Sequence, residues 1–118
     1  MDEQIALLNI KDILVVIVPS DPHDETITML QEDVLEALQK NASNGVILDI
    51  STVEIMDSFF ARTLMETSMM IKLMGGVTVI AGMQPSVAIT TIELGLNFGD
   101  IVTVLDVDSS LEYLKDLL

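Results

Sequence analysis

The sequence predicts a single α/β domain over residues 1–118: a five-stranded, mostly parallel sheet with an antiparallel edge hairpin and helices mainly on one face. Three observations predict it. Two apolar runs, 5–10 and 13–18, are separated only by Lys11-Asp12, which suits a hairpin, whereas a parallel crossover needs about a dozen residues. Beyond them, short β-branched runs alternate with segments of helical spacing, the pattern of repeated β-α units. A chain of 118 residues is one domain of ordinary size, able to bury roughly two-thirds of the surface its unfolded form exposes.

Each element follows from local chemistry. Pro19 stops the second strand, and Ser20-Asp21-Pro22-His23-Asp24 reads as a loop. Ile27, Leu30, Val34 and Leu38 form one apolar stripe on a helix over 25–40, with Asp24 as its expected cap. Asn41 to Gly45 ends that helix. Residues 46–50 are apolar except Asp49, as in a central strand covered on both faces. A helix over 58–74 opens at Asp57-Ser58 and ends at Gly75-Gly76. A strand over 77–81 precedes a short helix, with Pro85 in its first turn and Gly95 as its stop. The last strand spans 101–105. Ser109 and Glu112 spell a capping box for a final helix whose Leu111, Leu114 and Leu118 face inward.

Composition excludes several functions. With 19 acidic and 5 basic residues, a net charge of −14 repels nucleic acid and anionic membrane surfaces. The same charge either draws in a basic protein partner or simply keeps an apolar chain soluble. The absence of cysteine removes disulfides, thiolate catalysis and zinc-thiolate sites. The start of the chain is acidic where a secretory signal is basic, and the longest apolar run, 13–18, is too short to cross a bilayer. A cytoplasmic location is expected.

The most informative stretch is 46–62. It places the Ser58 hydroxyl at a helix N-terminus on the edge where parallel strands end, the edge open α/β folds use for function. Backbone N–H groups there are free to receive a phosphate. Asp-Ser at a helix start is equally well read as a structural cap.

The strand ending in Asp49, followed after a short turn by Met56-Asp57-Ser58, resembles the phosphorylation motif of STAS domains. Gly82-Met83-Gln84-Pro85 and Leu94-Gly95-Leu96 extend the resemblance over nearly the whole chain. Where simple anti-sigma-factor antagonists have Ser-Gly, this chain has Phe59-Phe60-Ala61-Arg62, similar to the small scaffold proteins of stressosomes. The resemblance implies a non-enzymatic, phosphorylatable scaffold and partner switch with Ser58 as phosphoacceptor. The implied partner surface is Asp24, Asp57, Ser58, Arg62 and Gln84. The implied partners are STAS-domain sensor paralogues, a switch serine kinase and a serine phosphatase that resets Ser58, within a large homo- and hetero-oligomeric complex. No cofactor or metal is implied. The alternative is a stand-alone anti-sigma-factor antagonist binding an anti-sigma kinase.

Other features have plainer readings. Asp21, Asp24, Asp49, Asp57 and Asp106 fall near strand ends and read as turn and cap residues rather than a magnesium site. A two-component receiver using Asp49 is disfavoured by the opening hairpin and by the absence of a lysine after the last strand before Lys115. His23, the one histidine, reads as a surface loop residue. No glycine loop cradles phosphate, so catalysis is not expected. Four of eight methionines lie on the 58–74 helix, as core filler or as a partner surface. Arg62 and Glu66, one turn apart, are expected to pair weakly. Thr90 and Thr91 read as structural helix residues.

Overall fold

The computed structural model describes residues 5–41, 43–98 and 101–118. The elements run β1 (Ala6–Ile10), β2 (Ile13–Ile17), α1 (Asp24–Asn41), β3 (Gly45–Asp49), α2 (Ser58–Leu73), β4 (Val77–Ala81), α3 (Pro85–Glu93), β5 (Val102–Val104) and α4 (Val107–Leu117). The sheet has the order β1-β2-β3-β4-β5. β1 is antiparallel to β2 and every later pair is parallel. This sequential order differs from the 2-1-3-4-5 order of receivers and flavodoxins, so the fold itself argues against the receiver reading.

The hairpin closes as expected, but with unusual residues. Lys11 and Asp12 both have positive φ, 51° and 69°, as a type I′ turn demands and as Asn-Gly supplies at less cost. Replacing Lys11-Asp12 with Asn-Gly is expected to raise stability by about 1 kcal/mol. A higher urea midpoint with an unchanged slope would register this, and an unmoved midpoint would refute it.

Side chains alternate between the two faces of the sheet. Leu14, Val16, Val46, Leu48 and Ile80 join Ile27, Leu30, Val34 and Leu38 of α1, Phe60, Leu64 and Ile71 of α2 and Val87 of α3 in the larger core. Ile13, Val15, Ile47, Val79 and Ala81 form the smaller core with Leu114 of α4. Three helices thus cover one face and one helix covers the other, because α4 alone follows the last strand. α1 and α2 are also tied by a 3.0 Å hydrogen bond from Gln31 Nε2 to Thr67 Oγ1. The buried Thr67 hydroxyl donates in turn to the Thr63 carbonyl, at 2.7 Å.

Two helix starts differ from expectation. The His23 carbonyl accepts from Ile27 N–H at 3.0 Å, so His23 holds the cap position of α1 and Asp24 is its first residue. There the Asp24 carboxylate favours the helix dipole without capping. α4 begins at Val107, capped by Asp106, whose Oδ1 accepts from Ser109 N–H at 2.7 Å. Ser109 is therefore inside the first turn and the Ser109–Glu112 capping box does not form. Hydrogen bonds from the Ser109 backbone and side chain hold the Asp106 carboxyl below its ordinary value of 3.8. Leu114 is buried and Leu111 half-buried, but Leu118 is exposed.

The end of α2 is as expected. Gly75 N–H donates to the Lys72 carbonyl and Gly76 N–H to that of Ile71, the paired bonds of a Schellman motif. Gly75 takes φ +91° there. Of the methionines on this stretch, Met65 is half-buried while Met69, Met70 and Met74 are exposed beside Leu73. Most of them are therefore surface rather than core filler. No helix of the described residues is long and apolar enough to cross a membrane.

Candidate functional site

The site is built from the segment between β3 and α2. At the end of β3 the Asp49 carboxylate accepts from Ser51 N–H at 3.0 Å and turns the chain. Val53 and Met56 then insert into the larger core, while Glu54 and Ile55 between them stay exposed. Polar bonds from two neighbouring elements hold the same segment. Gln84 Nε2 donates to the Ser51 carbonyl at 2.8 Å, and the Ser86 hydroxyl donates to that of Glu54 at 3.3 Å. The Thr52 hydroxyl reaches the Val18 carbonyl at 3.3 Å. This loop is fixed at both its apolar and its polar contacts, and Ser58 is presented from a rigid base.

α2 starts with Asp57 as cap, its Oδ1 accepting from Phe60 N–H at 2.8 Å. The Asp57 carbonyl accepts from Ala61 N–H at 3.0 Å. Ser58 is therefore the first helical residue, and it is exposed. Among the described residues its hydroxyl makes no hydrogen bond. The capping function and the free hydroxyl thus belong to different residues: Asp57 caps, and Ser58 is available for chemistry. Phe60, close behind, is buried and ties the helix start to the core. A buried side chain of that kind contributes about 1.5–3 kcal/mol.

The N-termini of α1, α2 and α3 follow the adjacent parallel strands β2, β3 and β4. Asp24, Ser58 and Gln84 accordingly lie along one edge of the sheet. Asp24 is exposed in the first turn of α1. Arg62 is exposed one turn beyond Ser58; among the described residues it forms no ion pair with Glu66. Both side chains are exposed, where such a pair gains little. Gln84 precedes Pro85 without capping α3 through its side chain, which is spent instead on Ser51. His23 is exposed. Thr91 is buried and donates to the Val87 carbonyl at 2.8 Å, while the half-buried Thr90 donates to that of Ser86 at 3.0 Å. Both hydroxyls bond the backbone of α3, and that of Thr91 also lies 4.0 Å from the Met56 sulfur of the loop.

Sequence reasoning missed the apolar surround. Ile55 is 73% exposed, three residues before Ser58, and Phe59 is exposed directly after it. Ile89 is exposed one turn from Ser86, whose hydroxyl reaches the loop. The available signal was Ile55 itself, an apolar residue in a short turn with a glutamate before it. Ser86 was missed as a support of the loop. Ile55 and Phe59, exposed apolar side chains beside an accessible hydroxyl in the chain, offer a contact surface.

The sequence profile of the STAS domain matches residues 4–111. Among solved structures, the fold is similar to RsbS of Moorella thermoacetica carrying the S58E substitution, with a TM-score of 0.86, 32% identity and 97% of both chains covered. It is also similar to a chain of the stressosome, a signal integration and transduction hub, with a TM-score of 0.84, 35% identity and coverage of 95% of this chain and 97% of that one. Among curated proteins, the RsbT co-antagonist protein RsbRA of Bacillus subtilis is 28% identical over 74 residues. That match covers 63% of this chain and only 27% of the relative's length.

Proposed function

We propose that this chain, which belongs to the STAS domain family, is a phosphorylatable scaffold and partner-switch protein of a stressosome-type signalling complex. Ser58 is the phosphoacceptor. The observation that carries this reading is the exposed, unbonded Ser58 hydroxyl beside an Asp57 that does the capping, in a chain similar to RsbS almost end to end. In the unphosphorylated assembly with STAS-domain sensor paralogues, the surface around Ser58, Ile55, Phe59 and Ile89 holds a switch serine kinase.

The switch is a local change of charge and bulk. The kinase transfers a phosphoryl group from its nucleotide to Ser58 Oγ, which gives up its proton. The product carries about −1.5 to −2 charges at neutral pH. The helix N-terminus favours that group, whereas the Asp57 carboxylate, fixed by its cap, opposes it. Val53 and Met56 anchor the loop in the core, so the new charge is felt by the partner rather than relieved by refolding. The kinase is released to its next target, and a serine phosphatase restores Ser58.

Sedimentation of the chain mixed with a sensor paralogue and the kinase tests the assembly. A megadalton particle that retains the kinase supports the scaffold. A small one-to-one complex with a kinase and no large particle would replace it with the stand-alone antagonist reading.

A further inference from the structure

A cavity opens at the end of the sheet opposite Ser58. Ser58 follows the end of β3, whereas the β1–β2 turn and the residue before β3 lie at the starts of the parallel strands and line the cavity. α4 runs back from β5 towards that end and supplies the rest of the lining. The volume is about 550 Å³, within the range of pockets that take small molecules. Ile10, Ile13, Leu111, Leu114 and Leu118 give it apolar walls.

The polar groups of the lining are unusual for this chain. Lys11 and Lys115 are two of its 5 basic residues, against 19 acidic ones. Asp12, Asp108 and Glu112 line the same cavity, yet among the described residues neither lysine forms an ion pair. The lysines are thus not spent on those acids. Lys115 has a plain structural reason, since the last turn of a helix favours a cation, as it does for Lys40 in α1 and Lys72 in α2. Lys11 has no such reason. It holds φ 51° in the hairpin turn, where Asn or Gly costs less, and backbone strain of that kind gathers at ligand clamps. The exposed Asn44 adds a side-chain amide that makes no hydrogen bond among the described residues.

We propose that this cavity binds a small organic monocarboxylate with an alkyl body, of the medium-chain fatty-acid class. The alkyl body lies against Ile10, Ile13, Leu111 and Leu114. The carboxylate accepts hydrogen bonds from the Lys11 and Lys115 ammonium groups and from the Asn44 amide, donors of the charge-assisted and neutral kinds that suit it. Charge sets the limit of what fits. Three carboxylates against two ammonium groups leave the lining with one negative charge, so a nucleotide, with several negative charges on one end, is repelled. A single charge held between two ammonium groups is not. An amphipathic cation meets carboxylates everywhere on a chain of −14; what distinguishes this cavity is its unpaired cations beside an apolar wall. The site needs neither Ser58 nor a kinase.

Titration of the full chain with octanoate below its micellar range, followed by calorimetry and by amide NMR shifts, tests the proposal. Saturable binding of one octanoate per chain is expected, with the largest shifts at Asn44, Leu111 and Leu114. Octanol and octylamine offer the same body with no charge and with the opposite charge, and each should bind at least tenfold more weakly. Lys11→Gln combined with Lys115→Gln should weaken octanoate at least tenfold and leave octanol unchanged. Both lysines are exposed, so this variant should keep the parent's circular dichroism. Leu111→Trp fills the space from its wall and should abolish binding of octanoate and octanol alike. Absence of saturable octanoate binding overturns the proposal, as does octylamine binding as tightly as octanoate. So do shifts confined to the exposed methionines at the end of α2, or either folded variant retaining the parent's affinity for octanoate.

Discussion

Ser58→Ala is expected to leave the fold unchanged, abolish phosphorylation of this chain and hold the switch kinase permanently in the assembly. Ser58→Asp is expected to bind the kinase at least tenfold more weakly, a loss of about 1.4 kcal/mol or more. Both follow from the same geometry. The hydroxyl is exposed and makes no hydrogen bond among the described residues, so removing it costs the monomer little. Helix capping is untouched, because Asp57 supplies it. An added carboxylate at position 58 stands next to Asp57 and within the apolar surround of Ile55 and Phe59, where a fitted partner loses contact and gains repulsion. Phosphopeptide mapping after treatment with the cognate kinase, and a pull-down of that kinase with each variant, are the measurements. Full phosphorylation of Ser58→Ala would show that the acceptor is elsewhere.

Much of this arrangement was legible in the sequence because its punctuation is local. Lys11-Asp12, Pro19, Gly75-Gly76 and Pro85 each limit the backbone within a few residues, and the elements they bound lie within one or two residues of expectation. The five-stranded sheet with its edge hairpin follows from those limits and from alternation of apolar runs. What was not legible depends on choices between neighbours of similar chemistry. Asp106 and Ser109 can both cap a helix, and the aspartate captures the Ser109 N–H three residues earlier than the capping-box pattern suggests. His23 takes the cap position beside a more suitable Asp24, because the chain leaving Pro22 enters the helix one residue sooner.

The candidate site divides in the same way. Ser58 at the start of α2 was predictable from the change of period after Asp57. The bonds from Gln84 to Ser51 and from Ser86 to Glu54 join residues about thirty positions apart, and no local pattern announces them. Gln84 was expected as a partner contact; the structure gives its amide an internal partner at the base of the loop. The supports of the site, unlike its exposed residue, come from the meeting of β3 and β4 connections.

That meeting point makes Gly82 the position where one methyl group should do the most harm. Gly82 has φ +78°, and a Cβ built there lies 2.7 Å from Ser51 Cβ and 3.0 Å from Ser51 Cα. Gly82→Ala thus combines the cost of a left-handed backbone with a collision against backbone that cannot swing aside. Strain of about 1–2 kcal/mol and an overpacking penalty of about 1–3 kcal/mol give an expected loss of about 2–5 kcal/mol. Ser51 carries the carbonyl that Gln84 holds and the N–H that Asp49 holds, so relief of the collision must move the loop leading to Ser58. Kinase binding should therefore fall even though Ser58 and its neighbours are intact. Gly75→Ala is the control: its φ is +91° but nothing lies within 4 Å of the added Cβ. It should cost about 1–2 kcal/mol from strain alone and leave kinase binding at the parent level. Urea denaturation of both variants with a parallel binding assay separates backbone strain from collision. Equal losses of stability, or undiminished kinase binding by folded Gly82→Ala, would show that the close approach of Gly82 to Ser51 does not set the position of the loop.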